Sequence, residues 1–345
     1  MRRVLTMCAC LAVFTGCNDD DEARPSELES LRIVGLLSSE SDLNLGEVFG
    51  GQSEPIKIGI VDFHPDDLNG ERVPRTYDWE VCFSIGAFAR FECLDQSKKL
   101  TFSGSEPSIE LPTDLETLFG LFPDVPGTSS DADDKATELP DGFTLEGSNM
   151  CSEGLGQPCV DTSECLDELL CMEGVCSASP PILPLPLIVK VTVSTMDGQA
   201  RHGARALNLR LSGESNQNPA LDAVEIRGQK IELLPMEDSE SPCTQMGPFG
   251  VGLDEIPLTA LVDESSLDST EYADGTQCIE VDEASDVYLS WFTTLGSLDN
   301  EAGSLEYNEN LLKNLPAEAQ PARIYLAIRD GRGGLSISCL EYALE

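Results

Sequence analysis

The sequence predicts an all-β fold made of two β-sandwich domains with a disulfide-rich insert between them. Short segments with an apolar residue at every second position recur in both halves of the 345-residue chain, and turn-forming residues separate them. Helical patterns are few, and "PTDLETLF" and "NENLLKNLP" are each long enough for a turn or two. Ten cysteines follow residue 17, and an even number favours disulfide bonds in an exported protein.

The N-terminus has the pattern of a lipoprotein signal peptide. Two arginines precede the apolar run 4–14, which is too short to span a bilayer, since a transmembrane helix needs about 20 residues. Phe14-Thr15-Gly16-Cys17 follows as a lipobox, in which the cysteine is diacylated and becomes the mature N-terminus. The alternative is an ordinary signal peptide with a chance cysteine. We predict a signal peptide over residues 1–16 and lipidation of Cys17.

Residues 17–30 are predicted to form an acidic tether. After Cys17 the stretch "NDDDEARPSELES" has no periodicity and is rich in acidic residues, which is typical of a solvated linker. Two or three acyl chains attach a protein stably to a membrane. We expect a lipid-anchored envelope protein, at the outer membrane or cell surface rather than the inner membrane.

The charge of the chain restricts its partners. Loss of residues 1–16 takes the 21 basic residues to 19 against 62 acidic ones, so the mature net charge is −43. Such a surface repels nucleic acid and anionic headgroups. We expect no nucleic-acid partner, and we expect membrane contact through the N-terminal lipid.

Residues 31–115 have the pattern of a first β domain. "PIKIGIVDF" alternates apolar and other residues like a half-buried strand, and "TYDWEVCF" places Trp79 among apolar residues on one face. Asn69-Gly70 between these segments is a hairpin signal. Cys82 and Cys93 flank a short turn and can pair across adjacent strands.

Residues 116–186 interrupt the β pattern in three steps. Residues 116–150 are acidic and rich in Pro, Gly and Ser, which predicts a loop or a disordered insert. Residues 151–178 form a cysteine-rich module. Residues 179–186, "SPPILPLP", predict a Pro-rich linker of extended geometry.

Strands return over residues 187–345, which predicts a second β domain. "LIVKVTVS" and "ALNLRLSG" alternate, and "ARIYLAIRDGRGGLSISCLEYAL" predicts a hairpin with its turn at residues 330–334. "VYLSWFTTLG" carries Trp291 near a tyrosine, as "TYDWEVC" carries Trp79. One buried tryptophan on a central strand is typical of immunoglobulin-like sandwiches, so we expect that fold in both domains.

Several motifs resemble known families. "LRIVG" after the tether, "YDWEVC", "NPALDAVEI", "LSWFTTLG" and "IYLAIRDGRGG" are similar to uncharacterised surface lipoproteins of myxobacteria and their relatives. The resemblance implies immunoglobulin-like domains on a cell-surface lipoprotein and implies no activity. Separately, the cysteine cluster resembles the small Dickkopf-like or epidermal-growth-factor-like modules of extracellular proteins in such bacteria.

The cysteines after Cys17 are the candidates for disulfide bonds. They are Cys82, Cys93, Cys151, Cys159, Cys165, Cys171, Cys176, Cys243, Cys278 and Cys339. The module holds five of them, and an odd group cannot close on itself. We therefore expect one bond from the module to a cysteine of a β domain. A zinc or redox centre is disfavoured because the module has no Cys-x-x-Cys.

The sequence identifies no catalytic residue and no cofactor. His64 and His202, the two histidines, lie in polar, turn-like surroundings and are expected in exposed loops, without a Gly-x-Ser-x-Gly or Ser-x-x-Lys pattern nearby. The "GRGG" stretch lies between strands, which predicts a turn and not a phosphate loop. Acidic loops such as "YADGTQ" and "SLDNEAGSLE" leave calcium as a possible ligand, although none has the spacing of an EF-hand.

We therefore predict a non-catalytic envelope lipoprotein that acts as a surface binding, adhesion or structural module. Its ligand would be a protein or a glycan. The alternative is a secreted-side hydrolase of polysaccharide, whose carboxylates cannot be picked out among 62 acidic residues. A calcium-dependent module is a third hypothesis.

Overall fold

The computed structural model describes most of the chain between residues 28 and 344. The described residues are 28, 30–45, 48, 54–70, 72–84, 91–121, 157–160, 170–172, 175–177, 182–210, 216–249, 255–267, 269–274, 277–282, 287–316, 318, 320–331 and 333–344. Cys17 and the predicted signal peptide lie outside them, as does most of the acidic stretch 116–150. No helix in the described part of the chain is both long and apolar enough to cross a membrane.

The first sandwich consists of a three-stranded sheet packed face to face against a five-stranded sheet. The three-stranded sheet has the order β1-β3-β6 and consists of β1 (Arg32–Ser38), β3 (Ile56–Phe63) and β6 (Ser108–Leu111). The other has the order β2-β10-β9-β4-β5 and consists of β2 (Asp42–Asn44), β4 (Arg75–Phe83), β5 (Leu100–Gly104), β9 (Ile182–Thr195) and β10 (Ala200–Arg210). Short β2 runs parallel to β10, and the other pairings are antiparallel.

The second sandwich consists of two five-stranded sheets packed face to face. One has the order β12-β11-β14-β20-β18, from β11 (Leu221–Ile226), β12 (Gln229–Glu232), β14 (Glu255–Val262), β18 (Ser297–Leu298) and β20 (Glu309–Lys313). The other has the order β13-β22-β21-β17-β19, from β13 (Thr244–Gln245), β17 (Tyr288–Thr293), β19 (Ala302–Gly303), β21 (Pro321–Arg329) and β22 (Leu335–Ala343). Here β13 runs parallel to β22.

Smaller elements decorate the two sandwiches. Two hairpins are β7 (Leu170–Met172) with β8 (Val175–Ser177), and β15 (Ser269–Asp274) with β16 (Gln277–Asp282). The α-helix α1 (Leu115–Leu121) occupies the predicted helical turn in "PTDLETLF". Short 3-10 turns cover Pro65–Asn69 and Glu264–Ser266.

Each sandwich has its own core, and each core contains one of the two tryptophans. Trp79 on β4 is 3 % exposed and lies opposite Val191 of β9, and Trp291 on β17 is 1 % exposed and lies opposite Leu326 of β21. Side chains alternate along β4, where Trp79 is buried and its neighbour Asp78 is exposed, as the period of two requires. The predicted all-β fold with immunoglobulin-like sandwiches is confirmed.

A third apolar cluster joins the two sandwiches. Val61 and Phe63 of β3 contact Tyr325, Ala327 and other residues of the β21–β22 hairpin in one buried core. The β1-β3-β6 sheet is therefore covered on both faces, which explains why seven of the eight residues of β3 are buried. The sequence predicted a half-buried strand here, and the difference arises because the second sandwich covers the other face.

The domain boundary predicted at residue 187 is wrong. Strand β9 pairs along its length with β4, and β10 pairs with β9, so residues 182–210 complete the first sandwich. The segment 112–181, with the cysteine-rich module, lies between β6 and β9 of that sandwich and not between the two domains. The second sandwich begins with β11.

The predicted Pro-rich linker is also corrected, because residues 182–186 belong to β9. Pro184 and Pro186 fit there because β4 pairs only as far as Leu187, and the register of β10 shifts between Leu207 and Leu209. Proline is tolerated where a strand lacks ladder bonds on one side.

Two local predictions fail for similar reasons. Asn69-Gly70 does not form a hairpin, because β3 and β4 belong to different sheets and a 3-10 turn ending at Gly70 (φ 103°) joins them. The segment "NENLLKNLP" forms β20 and not a helix, because its backbone pairs with β14. By contrast, β21 and β22 form the predicted hairpin.

The predicted tether is shorter than the acidic stretch. Leu28 is 3 % exposed, and its N–H donates to the carbonyl of Thr293 at 2.9 Å. Leu31 is fully buried in the first core. The folded body therefore includes Leu28, a residue of the segment predicted as linker.

Candidate functional site

The stacking of the four sheets leaves two sheet faces for solvent contact. The first outer face is the solvent-facing side of β4, β5, β9 and β10 in the first sandwich. The second outer face is the solvent-facing side of β11, β12, β14 and β20 in the second sandwich. The β1-β3-β6 sheet contributes no such face, because each of its sides covers a core.

Strand register arranges the first outer face in rows that cross the strands. The Asp78 row runs Ser103, Asp78, Thr192, His202, and the Glu80 row beside it runs Thr101, Glu80, Lys190, Ala204. Neighbouring strands are about 4.8 Å apart. Each row therefore presents four side chains at this spacing, all on the face opposite to Trp79.

Glu80 is held between two lysines. Its Oε1 accepts a hydrogen bond from Lys190 at 3.0 Å, and its Oε2 accepts one from Lys99. The hydrogen bond from Lys99, supported by Lys190, lowers the pKa of Glu80 below its ordinary value. The carboxylate is therefore ionised and paired at neutral pH.

The Asp78 row is held by hydroxyl contacts. Ser103 Oγ donates to Asp78 Oδ1 at 2.7 Å, and Thr192 Oγ1 lies 2.9 Å from His202 Nδ1. A shallow depression of about 290 Å³ lies over the two rows. It is lined by Asp78, Trp79, Glu80, Thr101, Ser103, Lys190, Val191 and Thr192.

The residues beside this depression do not form a metal centre. Donor atoms of Glu80, Cys82 and Cys93 lie within 4.8 Å of one another, the one such group of three among the described residues. Cys82 and Cys93 are joined in a disulfide bond, so neither offers a thiolate, and Glu80 is already paired with two ammonium groups. In the acidic segment "SLDNEAGSLE", Asp299 pairs with Lys313 at 2.8 Å.

The two histidines occupy positions other than the exposed loops predicted for them. His64 is 6 % exposed; its Nδ1 accepts from the Asp66 N–H at 3.2 Å, and its Nε2 lies 3.2 Å from Gln199 Nε2. It caps the 3-10 turn after β3. His202 is exposed, but it lies within β10 and bonds Thr192, a hydroxyl-bearing neighbour in the Asp78 row.

A buried ionic cluster at the domain junction was not predicted. Asp62 has no exposed side-chain area; Arg75 Nε lies 2.7 Å from its Oδ2, and Arg72 Nη2 lies 2.8 Å from its Oδ1. Arg75 also pairs with Asp67, and Ser239 of the second domain donates to Asp62. The sequence signal was Asp62 within the apolar run "GIVDF", since a carboxylate at such a position needs a buried partner.

The "GRGG" turn serves the junction as well as the hairpin. Asp330 Oδ1 accepts from the Gly334 N–H at 2.6 Å, and Arg205 of β10 donates to the Gly333 carbonyl at 2.8 Å. A Cβ atom on Gly334 would lie 2.2 Å from Asp330 Oδ2. The predicted turn therefore also carries a contact between the two sandwiches.

Six of the cysteines predicted to form disulfide bonds are described by the structure as disulfide-bonded. Cys82 bonds Cys93, and Cys243 of the second domain bonds Cys339 on β22. Cys159 and Cys176 of the module are disulfide-bonded as well. The remaining pairings stay a prediction. Because the other four cysteines outside the module are already paired, Cys278 on β16 is the remaining candidate for the bond from the module to a β domain.

No family model and no curated protein sequence matches the chain. The two tandem V-type regions of VCBP3, a v-region-containing chitin binding protein, superpose with a TM-score of 0.26 at 8 % identity, over 92 % of this chain and 99 % of that one. Dimeric latent PorU from Porphyromonas gingivalis gives 0.18 at 10 % identity, over 92 % of this chain and 34 % of that one.

These TM-scores are too low to indicate a shared fold or function, and the resemblance to myxobacterial lipoproteins stays a prediction. The strand order itself defines the class. The chain is an all-β protein of two immunoglobulin-like sandwiches with disulfide bonds.

Proposed function

We propose that this protein is a non-catalytic, lipid-anchored envelope module that binds a ligand through its first outer face. The observation that carries the proposal is the depression over the Asp78 and Glu80 rows, lined by hydroxyl, carboxylate and ammonium groups from three strands. Concave sites with a few convergent polar groups are where ligands bind.

The two outer faces differ in charge, which favours the first. On the first, Asp78 and Glu80 are balanced by Lys99 and Lys190. The second carries four outward glutamates against two lysines, of which Lys230 pairs with Asp222 and Lys313 pairs with both Asp299 and Glu255. These glutamates are Glu225, Glu232, Glu255 and Glu309. In a chain of net charge −41, a locally neutral face can bind a ligand without repelling its negatively charged groups.

The anchor would hold this face near the membrane. Ten residues separate Cys17 from Leu28, and they span at most about 35 Å. Ser30 and Leu31 then contact the β9–β10 end of the first sandwich, through Arg201 and Gln199. A lipid on Cys17 therefore fits a protein whose ligand lies at the same envelope surface.

The hydrolase alternative would use Asp78 and Glu80, which point outward from the same strand. A glycosidase needs one carboxyl group with a raised pKa to protonate the leaving oxygen. The lysines lower the pKa of Glu80, which is the opposite of that requirement. The geometry therefore supports binding over hydrolysis.

The test is binding of the labelled mature protein to envelope fractions. The double variant Ser103→Gln/Thr192→Gln places bulk on the first outer face, and we expect it to lose at least tenfold in affinity. The control Thr259→Gln on β14 makes one of these changes, Thr to Gln, on the second outer face and should bind like the wild type. Equal binding by all three proteins would overturn the proposal, and glycan cleavage that Asp78→Asn abolishes would establish the hydrolase instead.

Anchoring is tested separately with Cys17→Ser. We expect this variant in the soluble fraction, because the cysteine thiol is the site of acylation. Continued retention in the membrane fraction would contradict lipidation.

A further inference from the structure

We propose that the ligand of the first outer face is an uncharged glycan chain lying across β5, β4, β9 and β10 along the Asp78 row. This inference rests on the proposed function and names the chemistry of its ligand. It is argued from the spacing of the row, the pairing of its charges and the side chains beside it.

The row repeats a polar group at every strand. Ser103, Asp78, Thr192 and His202 lie on four successive strands, so they cover about 14 Å in steps of about 4.8 Å. That step is close to the length of one pyranose residue in an extended glycan. A chain laid across the strands would meet one hydrogen-bonding side chain for each sugar.

The groups of the row suit hydroxyls, which both donate and accept. Asp78 is exposed, and Ser103 occupies only one of the acceptor positions of its carboxylate. Thr192 and His202 each keep further hydrogen-bonding capacity beyond the contact between them. An alternation of acceptor and hydroxyl groups is complementary to a polyol and has no preference for a charged ligand.

The charges next to the row are already neutralised. Lys99 and Lys190 both bind Glu80, so an anionic ligand would compete with that carboxylate and a cationic ligand with those lysines. The four side chains Asp78, Glu80, Lys99 and Lys190 carry no net charge together, so their sum attracts neither an anion nor a cation. An uncharged ligand leaves all three groups in place.

Small residues flank the imidazole at the end of the row. Along β10 the outward positions are Ala200, His202 and Ala204, and all three are exposed. The ring therefore stands above its neighbours with room beside it. A flat ring with an apolar body and polar atoms at its edge suits the C–H face of a sugar.

The face lacks the features of a protein interface. Interface hot spots are rich in tryptophan, tyrosine and arginine. The large apolar side chains with high exposure among the described residues are Val160, Met196, Leu234, Tyr288 and Tyr307. None of them belongs to the Asp78 row or the Glu80 row.

The experiment is calorimetric titration of the full mature protein in detergent with neutral oligosaccharides. The probes are glucose, mannose and N-acetylglucosamine oligomers of one to six residues. We expect at least one series to bind, with affinity rising up to about four residues and then constant, because the row crosses four strands. Raising sodium chloride from 0.05 to 0.5 M should change the affinity less than twofold, since an uncharged ligand releases no counterions.

Matched variants locate the site. Thr192→Val removes one hydroxyl from the row and His202→Ala removes the ring, and each should weaken binding about three- to tenfold. Thr259→Val makes the same change on the second outer face and should have no effect. Binding that all three variants leave unchanged would place the glycan elsewhere and overturn the inference.

The outcomes separate this inference from the proposed function. If no neutral glycan binds, but envelope binding is lost in Ser103→Gln/Thr192→Gln, the ligand is a protein or a charged polymer and only the glycan inference fails. If envelope binding survives that double variant, both fail.

Discussion

The two sandwiches share one plan and differ in how each is closed and covered. In both, a short strand runs parallel to the last strand, β2 beside β10 and β13 beside β22. In both, the tryptophan strand lies beside the next-to-last strand, with Trp79 opposite Val191 and Trp291 opposite Leu326. The shared plan resides in the buried residues, which decide the fold.

The differences lie in loops, disulfides and outer faces. The first sandwich carries its insert between β6 and β9 and has its disulfide close to the outer face. The second carries the β15–β16 hairpin between β14 and β17 and ties Cys243 to β22. One outer face has balanced charges and a shallow depression, and the other is acidic. Function in such a pair is therefore expected to follow the faces, because the two cores are built alike.

The largest expected effect tests whether the two tryptophans are equivalent. Trp79→Ala and Trp291→Ala should each cost about 3–5 kcal/mol of unfolding free energy, as for other large buried aromatics. Urea unfolding measures this. The control Tyr288→Ala removes a half-exposed ring from the same strand as Trp291 and should cost much less. A variant of either tryptophan with wild-type stability would show that its ring is not part of a core.

The second comparison concerns the disulfide bonds. Their sequence separations are 96 residues for Cys243–Cys339 and 11 for Cys82–Cys93. Loop-closure entropy gives about 4.7 and about 2.8 kcal/mol respectively, so removing the first pair should cost about 2 kcal/mol more. The double Cys→Ala variants, unfolded in urea, measure the difference. Equal losses would mean that strain or residual structure outweighs chain entropy.

The oxidised protein also tests the pairing of the module. Cys82 is bonded to Cys93, and Cys243 is bonded to Cys339. Because five cysteines lie within residues 151–176, one of them needs a partner outside that segment, and Cys278 is the cysteine that remains. Peptide mapping by mass spectrometry without reduction should find a peptide containing Cys278 joined to one from that segment. A free, alkylated Cys278 would contradict the predicted bond between the module and a β domain.

Another prediction tests whether the two sandwiches unfold as one unit. A Cβ atom on Gly59 of β3 would lie 1.9 Å from the carbonyl oxygen of Glu237 in the second domain. Gly59→Ala should therefore cost about 1–3 kcal/mol, as overpacking does, and should split a single melting transition in calorimetry. Gly104→Ala, at a position where a Cβ atom would make only an ordinary contact with Glu106 N at 3.9 Å, is the control. An unchanged melting curve for Gly59→Ala would show that the junction is loose.

The smallest expected effect concerns Glu80 and pH. Because its folded-state pKa lies below the ordinary value of 4.5, its stabilisation is fully present above that pH. It is lost as the pH falls through the lower folded-state value. Glu80→Gln should cost about 0.5 kcal/mol at pH 7, in the range of exposed ion pairs, and nothing at pH 2. Melting temperatures at both pH values check this, with Glu225→Gln as the control on the second outer face. A loss that is equal at both pH values would exclude an electrostatic origin.

Local patterns predicted the strands, whereas the partners of those strands were not predictable. The alternation around Trp79 and Trp291 identified both central strands and the fold, because one-sided burial leaves a period of two. The place of β9 was missed because its pairing of Val191 with Trp79 joins residues more than a hundred positions apart. Leu311, Leu312 and Leu315 fit a helical spacing, and only the backbone of β14 makes that segment a strand.

The first outer face could not be predicted from the sequence, because its side chains come from segments that are far apart in the chain. Asp78 and Glu80 were visible as polar positions of a strand, but their neighbours Ser103 and Lys190 come from distant segments. A row across a sheet exists only once register is known. Likewise, burial of His64 depends on Gln199, a residue contributed by the β9–β10 turn.

The position of β9 and β10 also determines an order of events during synthesis. A chain that emerges N-terminus first exposes β1 to β6 early, but it cannot complete the first sandwich until Arg210 has followed, after the whole cysteine-rich segment. Until then one edge of β4 has no partner strand, and Trp79 lacks its neighbour Val191 of β9. Non-local strand pairing of this kind folds slowly, and such exposed strands aggregate. The insert that delays closure is itself acidic, and like charge of this kind opposes association of incomplete sandwiches.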